Sequence, residues 1–407
     1  MHAATLVQLG VTGLLAASVP LSMVWMSSDA NKYRKLVWAT AFLTFDLIVF
    51  GAFTRLTDSG LGCPDWPGCY GLANPFQAHA QISAAQTLMP SGPVSVLKAW
   101  IEMIHRYLAM GIGVLIMTLM VKAWLEWRRA KSDAFAPALP TALFLFVCLQ
   151  GAFGAWTVTL KLQPVIVTTH LLLGMGLLAL LAWLGARADH LLKPSKPRQA
   201  TGNRAALVTL RVLALMSAAL LLVQLALGGW VSTNYATLAC LDYPLCGGQL
   251  VPPMDFEHGF TLWRELGKTA AGRYLPFSAL TAIHWVHRNF ALIVAAGLGW
   301  TAWRAWSQPA LRATARHIAL VLALQFASGL ATVFLSFPLA IAVLHNAGAA
   351  LLVLLVTMLN YKTKVELDIA RRASALTPAP APAGTSAETQ ARSARTISKP
   401  ISKRRTP

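Results

Sequence analysis

Charge is what this 407-residue chain has least of. Asp, Glu, Lys and Arg together make up 12% of it, where a soluble domain carries about 25%. Acid is scarcer still, with 15 Asp and Glu against 34 Lys and Arg, a formal net charge of +19. There are only five cysteines. So little charge excludes an ordinary globular enzyme and a disordered protein. So few cysteines in so long a chain exclude a small secreted domain stapled by disulfides. The alternating segments of about ten residues that mark an outer-membrane barrel are also missing.

What fills the chain is apolar. Hydrophobic residues make up 56%, and the mean hydropathy is +0.56. They gather in runs such as 138–158 and 340–360. Each run is long enough to cross a hydrocarbon layer about 30 Å thick, which takes roughly 20 helical residues. The fold class expected is an all-α polytopic membrane protein. Nine spans are expected, near 3–26, 36–54, 99–121, 138–158, 165–185, 208–231, 279–302, 317–335 and 340–360. The first lacks a basic leader, and its cluster Lys32, Arg34, Lys35 follows the run. It therefore reads as a retained helix with its N-terminus outside, not as a signal peptide.

The basic residues set the orientation. Residues 32–35, 122–131, 187–211, 304–316 and the end after 361 hold 26 of the 34 Lys and Arg residues, and the opposite loops hold six. The richer set is expected to be cytoplasmic, where it meets anionic lipid; nucleic acid is not an expected partner. Loops 55–98 and 232–278 then lie outside, and they carry Cys63, Cys69, Cys240 and Cys246. Cys148 lies in an apolar run and reads as a packed core residue. Residues 362–407 read as a disordered basic cytoplasmic tail.

The chain also repeats itself. Cys63-Pro-Asp65-Trp66-Pro67-Gly-Cys69 matches Cys240-Leu-Asp242-Tyr243-Pro244-Leu-Cys246, 177 residues on. Gly51 matches Gly228, and His105-Arg106 matches His287-Arg288. Gln150-x-x-x-Gly154 matches Gln325-x-x-x-Gly329, and His170 matches His345 at the same spacing. An ordered series of this kind indicates duplication. The architecture expected is two tandem four-helix bundles related by an internal repeat, plus one extra N-terminal transmembrane helix. The divisions are 1–35 for the extra helix and its loop, 36–190 for the first bundle, 191–207 for a cytoplasmic linker, 208–361 for the second bundle and 362–407 for the tail.

Ionisable residues within spans are costly and mark function. His105 and His170 lie at matching depths, roughly 8–10 Å below the outer surface at a rise of about 1.5 Å per residue. His287 and His345 repeat that arrangement. Two imidazoles on separate helices can fill both axial positions of one haem iron. Arg106 and Arg288 can reach outward to anionic propionates. Glu102 shares a face with His105, three residues on, and could move protons beside the pocket. Its alternative partner is Arg106, four residues on. His284 stands where Glu102 stands in the first half, which makes it a spare ligand behind His287. The pairs Cys63 with Cys69 and Cys240 with Cys246 read either as disulfides capping the sites or as redox-active thiols. Asp46, Gln150, Gln224 and Gln325 read as bonds between helices.

These residues resemble the haem A synthases of the aerobic respiratory chain. The likeness rests on Gly51-Ala-Phe-Thr54-Arg55-Leu-Thr57-Asp58-Ser59-Gly60-Leu-Gly-Cys63-Pro-Asp-Trp66-Pro-Gly-Cys69-Tyr, on Glu102-Met-Ile-His105-Arg106, and on His170, His287-Arg288 and His345. It covers about residues 36–360. The family has eight helices in two bundles, so the first helix here is additional. The resemblance implies oxidation of the C8 methyl of haem O to the formyl group of haem A. It implies that His105, His170 and Glu102 serve the haem O substrate, that His287 and His345 hold haem b, and that Cys63 and Cys69 are the weightier cysteine pair. The partners implied are haem O and haem A, membrane lipid, a haem O-producing prenyltransferase and oxidase assembly factors. The place implied is a bacterial inner membrane, with periplasmic cysteine loops. The competing functions are a non-catalytic dihaem electron carrier and a haem chaperone.

Overall fold

The computed structural model describes residues 3–192 and 203–376. Among them the chain is helical throughout its long elements: α1 (Ala3–Met26), α2 (Lys32–Leu56), α3 (His79–Leu88), α4 (Val96–Ala130), α5 (Ala138–Thr159), α6 (Pro164–Leu192), α7 (Arg204–Thr233), α8 (Phe256–Gly259), α9 (Phe277–Trp306), α10 (Arg312–Phe334) and α11 (Leu339–Leu376). Eight of these helices are both long and apolar enough to cross a membrane. The expected seventh span, 279–302, falls within α9, where His284, His287, Arg288 and Asn289 dilute the apolar run. Apart from α3 and α8, each helix holds its backbone hydrogen bonds internally, which hydrocarbon requires.

Helix ends follow local chemistry. The Arg34 amide donates to the Asn31 side chain at the start of α2, and the Lys98 amide donates to Ser95 at the start of α4. The turn into α6 runs through Lys161 and Leu162, and the turn into α11 through Ser336 and Phe337. All four have positive φ, and the two pairs lie 175 residues apart. Each turn is followed by a proline, Pro164 or Pro338, which suits a helix start.

The duplication is visible in the packing. In the first half α2 touches α4 and α6, and α5 touches both α4 and α6. In the second half α7 touches α9 and α11, and α10 touches both α9 and α11. These are the same closed ring of four. Between the rings α6 meets α11, α2 meets α11 and α6 meets α7. The last two contacts exchange under the repeat and the first maps onto itself, as in a twofold pair of parallel repeats.

The ends carrying the cysteine loops join the two halves directly. Arg55 Nη2 donates to the Ser232 carbonyl at 2.7 Å, and the Tyr235 hydroxyl donates to Asp58 Oδ1 at 2.6 Å. The Arg55 guanidinium lies 4.2 Å from the Tyr235 ring centre. Positions 55 and 232, and 58 and 235, are repeat equivalents, so each meets its own counterpart. Asp58 and Tyr235 share a left-handed backbone, with φ of 52° and 55°.

Helix α1 belongs to the first half alone. It packs along α4 and α2, with Gly13 against Met110 and Gly111 against Ala16. Small residues of this kind let membrane helices approach closely. Thr5 donates to the Gly71 carbonyl, so the start of α1 lies beside the first cysteine loop.

Three expectations are corrected. Helix α11 continues to Leu376, so residues 362–376 are not part of a disordered tail; the tail beyond 376 lies outside the described residues. Helix α6 runs to Leu192 and α7 begins at Arg204, which shortens the expected linker 191–207; residues 193–202 also lie outside the described residues. Cys148 is exposed on α5 rather than packed in a core, because an apolar run in a membrane faces lipid as readily as protein.

Candidate tetrapyrrole sites

Each of the four paired histidines, His105, His170, His287 and His345, lies over a glycine of a neighbouring helix. A Cβ at Gly51 would stand 2.9 Å from His105 Cε1, and one at Gly228 would stand 2.9 Å from His287 Cε1. At Gly154 the distance to His170 Cε1 is 3.2 Å, and at Gly329 to His345 Cε1 it is 3.3 Å. A side chain at Gly51 or Gly228 would force the imidazole to shift, and one at Gly154 or Gly329 would crowd it. This gives a physical reason for the paired Gly and His spacing of the repeat. His105 and His170 are within electrostatic reach of each other, as are His287 and His345. All four are partly exposed rather than sealed in packing.

In the second half the pair faces a cavity with about 1450 Å3 of empty volume, part of it open to the surroundings. His284, His287, Arg288, Gln325 and His345 line it. Leu56, Leu171 and Met175 of the first half close one wall. His284 Nδ1 and Arg288 Nη1 are buried with no hydrogen-bond partner. A cavity that is apolar overall, with a few convergent polar groups, is the usual form of a cofactor site.

The cysteine loops fold alike over both sites. Cys63 is bonded to Cys69 and Cys240 to Cys246, all four buried. In the first loop Asp65 accepts from the Tyr70 and Gly71 amides at 2.6 Å each. In the second Asp242 accepts from the Gly247 and Gly248 amides at 2.8 Å each. Those bonds, that of Gly248 first, hold the Asp242 carboxyl below the usual carboxylate range. The left-handed backbones at Gly71 and Gly248, φ of 74° and 76°, let the amides turn toward the carboxylate.

Two arginines tie these loops to their helices. Arg106 Nη1 donates to the carbonyls of Asp65 at 2.9 Å and Gly68 at 2.6 Å, and its Nη2 is ion-paired with Glu102. Arg288 Nη2 donates to the carbonyls of Asp242 at 2.8 Å and Leu245 at 3.0 Å. Arg106 is thus committed to the loop and to Glu102, whereas Arg288 keeps one nitrogen free on the cavity. Glu102 is 4% exposed and accepts from the Cys63 amide through Oε2 at 2.8 Å. It pins the first disulfide to α4 one turn from His105.

The glutamines do bond within the bundles, as expected, and they bond to the histidines. Gln150 donates to the His170 carbonyl at 3.1 Å. Gln224 lies 3.2 Å from His287 Nδ1, and Gln325 lies 3.2 Å from His345 Nε2. Ser328, 2.9 Å from His345 Nδ1, had no signal in the sequence. A serine in an apolar span is ordinary and has no match in the first half.

The fold and site define a duplicated helical membrane protein with two pairs of span histidines, each beside a disulfide loop, and a cavity at the second pair. Residues 34–357 match the family described as cytochrome oxidase assembly protein, and the chain belongs to that family. It is 39% identical over 332 residues to a haem A synthase of Shewanella oneidensis, covering 80% of this chain and 96% of that protein. It is 30% identical over 340 residues to a haem A synthase of Sphingopyxis alaskensis, covering 78% and 88%. It is 31% identical over 337 residues to one of Rhodospirillum centenum, covering 78% and 84%. Helix α1 precedes the matched region.

Proposed function

We propose that this chain makes haem A by oxidising the C8 methyl of haem O to a formyl group. The observation that carries the reading is the set of four imidazoles, each seated over a glycine, in two pairs across duplicated bundles. Such pairs suit a tetrapyrrole iron, which takes two axial nitrogens. His105 and His170 of the first half hold the haem O substrate, with Glu102 beside them. His287 and His345 hold haem b, and the cavity between them fits it: Arg288 Nη1 and His284 Nδ1 lack partners and line the space where anionic propionates would lie. Bound there, haem b supplies one-electron redox chemistry.

The methyl carbon gives up four electrons in passing to the formyl. Two hydroxylations, each passing two electrons to an external oxidant, and loss of water from the gem-diol account for that change. Glu102 holds Arg106 and the Cys63 amide, and so sets the lid over the substrate half. The cysteine loops face the periplasm and the basic ends face the cytoplasm of a bacterial inner membrane, by the excess of Lys and Arg at the latter.

The test is expression in cells that make haem O but no haem A, followed by extraction and mass analysis of the pigment. Formyl haem is the expected product. Unchanged haem O on a folded, haem-bearing protein would overturn the reading in favour of a carrier.

A further inference from the structure

The two halves share their histidines but not the hydrogen bonds around them. In the second half the Ser328 hydroxyl donates its one proton to the Gln325 carbonyl at 3.0 Å. It also lies 2.9 Å from His345 Nδ1, and with its proton on the carbonyl it can accept from an Nδ1–H, the tautomer that leaves Nε2 its lone pair for a metal. The Gln325 amide nitrogen lies 3.2 Å from Nε2. Gln150, its repeat counterpart, donates to the histidine carbonyl instead, an arrangement open to Gln325 once Nε2 is taken. His287 is held by Gln224, at 3.2 Å from Nδ1 and 3.3 Å from its carbonyl.

The first half has neither residue. Phe153 stands at the position of Ser328, and Leu47 at that of Gln224. His105 Nδ1 and His170 Nδ1 are buried without a partner. Nothing at Nδ1 fixes their tautomer or ring orientation.

We propose that Ser328 is a positioning residue that locks the His345 imidazole for permanent haem binding. Phe153, at the position of Ser328, gives the His170 Nδ1 no hydrogen bond, so that substrate can enter and product leave. This rests on the haem reading above. Outer partners of this kind fix the ligand and raise its basicity, and removing one costs about 10- to 100-fold in affinity. A more basic ligand favours the oxidised iron.

The experiment uses the full chain purified with its haem, for the wild type, Ser328→Ala, Ser328→Thr and Phe153→Ser. Three quantities are read: the midpoint potential of the b-type haem, its rate of transfer to excess apomyoglobin, and the rate of transfer of the first-half haem. Ser328→Ala is expected to shift the potential positive and to speed transfer on the order of tenfold. Ser328→Thr, which keeps a hydroxyl, restores both. Phe153→Ser is expected to slow release of first-half haem by a similar factor, and it decides the matter if Ser328→Ala does not fold. Wild-type potential and transfer in Ser328→Ala, or unchanged first-half release in Phe153→Ser, would overturn the inference. His345→Leu separates the two levels. If it loses haem b while Ser328→Ala behaves as wild type, only the positioning role fails; if it keeps haem b, the haem reading fails.

Discussion

Gly51 lies directly beneath His105, so close that a single added methyl group would stand 2.9 Å from the imidazole Cε1. The same closeness recurs between Gly228 and His287. Alanine at either position must push the ring from its place, because the other side of the contact is fixed helix backbone. Overpacking of this kind costs about 1–3 kcal/mol. Gly51→Ala and Gly228→Ala are expected to lower the haem bound per purified chain sharply. Gly154→Ala and Gly329→Ala, at 3.2 and 3.3 Å, are expected to lower it less. Equal haem content across all four variants and the wild type would show that the glycines do not seat the ligands.

Glu102 is engaged at both oxygens, by the Arg106 ion pair and by the Cys63 amide at 2.8 Å. Glu102→Ala is expected to leave haem bound and stop haem A production. Glu102→Gln separates the two duties of the residue. It keeps an acceptor for Cys63 but loses the charge that pairs with Arg106, and haem A in pigment extracts is expected to be lost here as well. Normal production by the Gln variant would assign Glu102 to holding the loop alone.

Much of this was legible in the sequence because a bilayer demands it. Long apolar runs and the lopsided placement of Lys and Arg gave the helices, and the repeat gave the four-helix halves. The histidines were legible because an imidazole in an apolar span is costly and these four recur in register. Arg106 was harder to place. Its sequence position suits a propionate, but the loop carbonyls of Asp65 and Gly68 that take up its guanidinium come from 41 and 38 residues away. Ser328 was invisible for the opposite reason: its contact lies on the next helix, and serine alone in a span signals nothing. The end of α11 was misjudged because residues 362–376 are polar, yet Leu367 and Ala370 pack against Leu207.

The contact between halves makes its own prediction. Arg55 bonds the Ser232 carbonyl and covers the Tyr235 ring, while Tyr235 bonds Asp58. Tyr235→Phe removes one exposed hydrogen bond between the two halves, worth about 0.5–1.5 kcal/mol. Arg55→Ala removes its bond and ring contact together. A modest fall in thermal stability is expected for Tyr235→Phe and a larger one for Arg55→Ala, read by heating detergent-solubilised protein. Their double variant should depart from the sum, because Arg55 and Tyr235 both bond Asp58 Oδ1. Strict additivity would show that the contact is idle.

The second cysteine loop should respond to acid. Its Asp242 carboxyl is held below the usual range, first by the Gly248 amide. A carboxyl lowered in the folded state stabilises fully above its unfolded pKa of about 3.9 and loses that effect as pH falls through the folded value. The loop is therefore fully held at neutral pH and loosens in acid. Asp242→Asn puts an amide donor against a backbone donor and is expected to loosen it at pH 7. Hydrogen exchange at residues 246–249 measures both. Exchange in the variant as slow as in the wild type would remove Asp242 from the account.

The central claim is that opposed imidazoles of each half grip one tetrapyrrole. Its most direct measurement is haem content, by type, in four purified variants: His105→Leu, His170→Leu, His287→Leu and His345→Leu. The expected result is that either second-half substitution removes haem b while either first-half substitution leaves it in place. Undiminished haem b in both His287→Leu and His345→Leu would contradict the account and turn attention to His284.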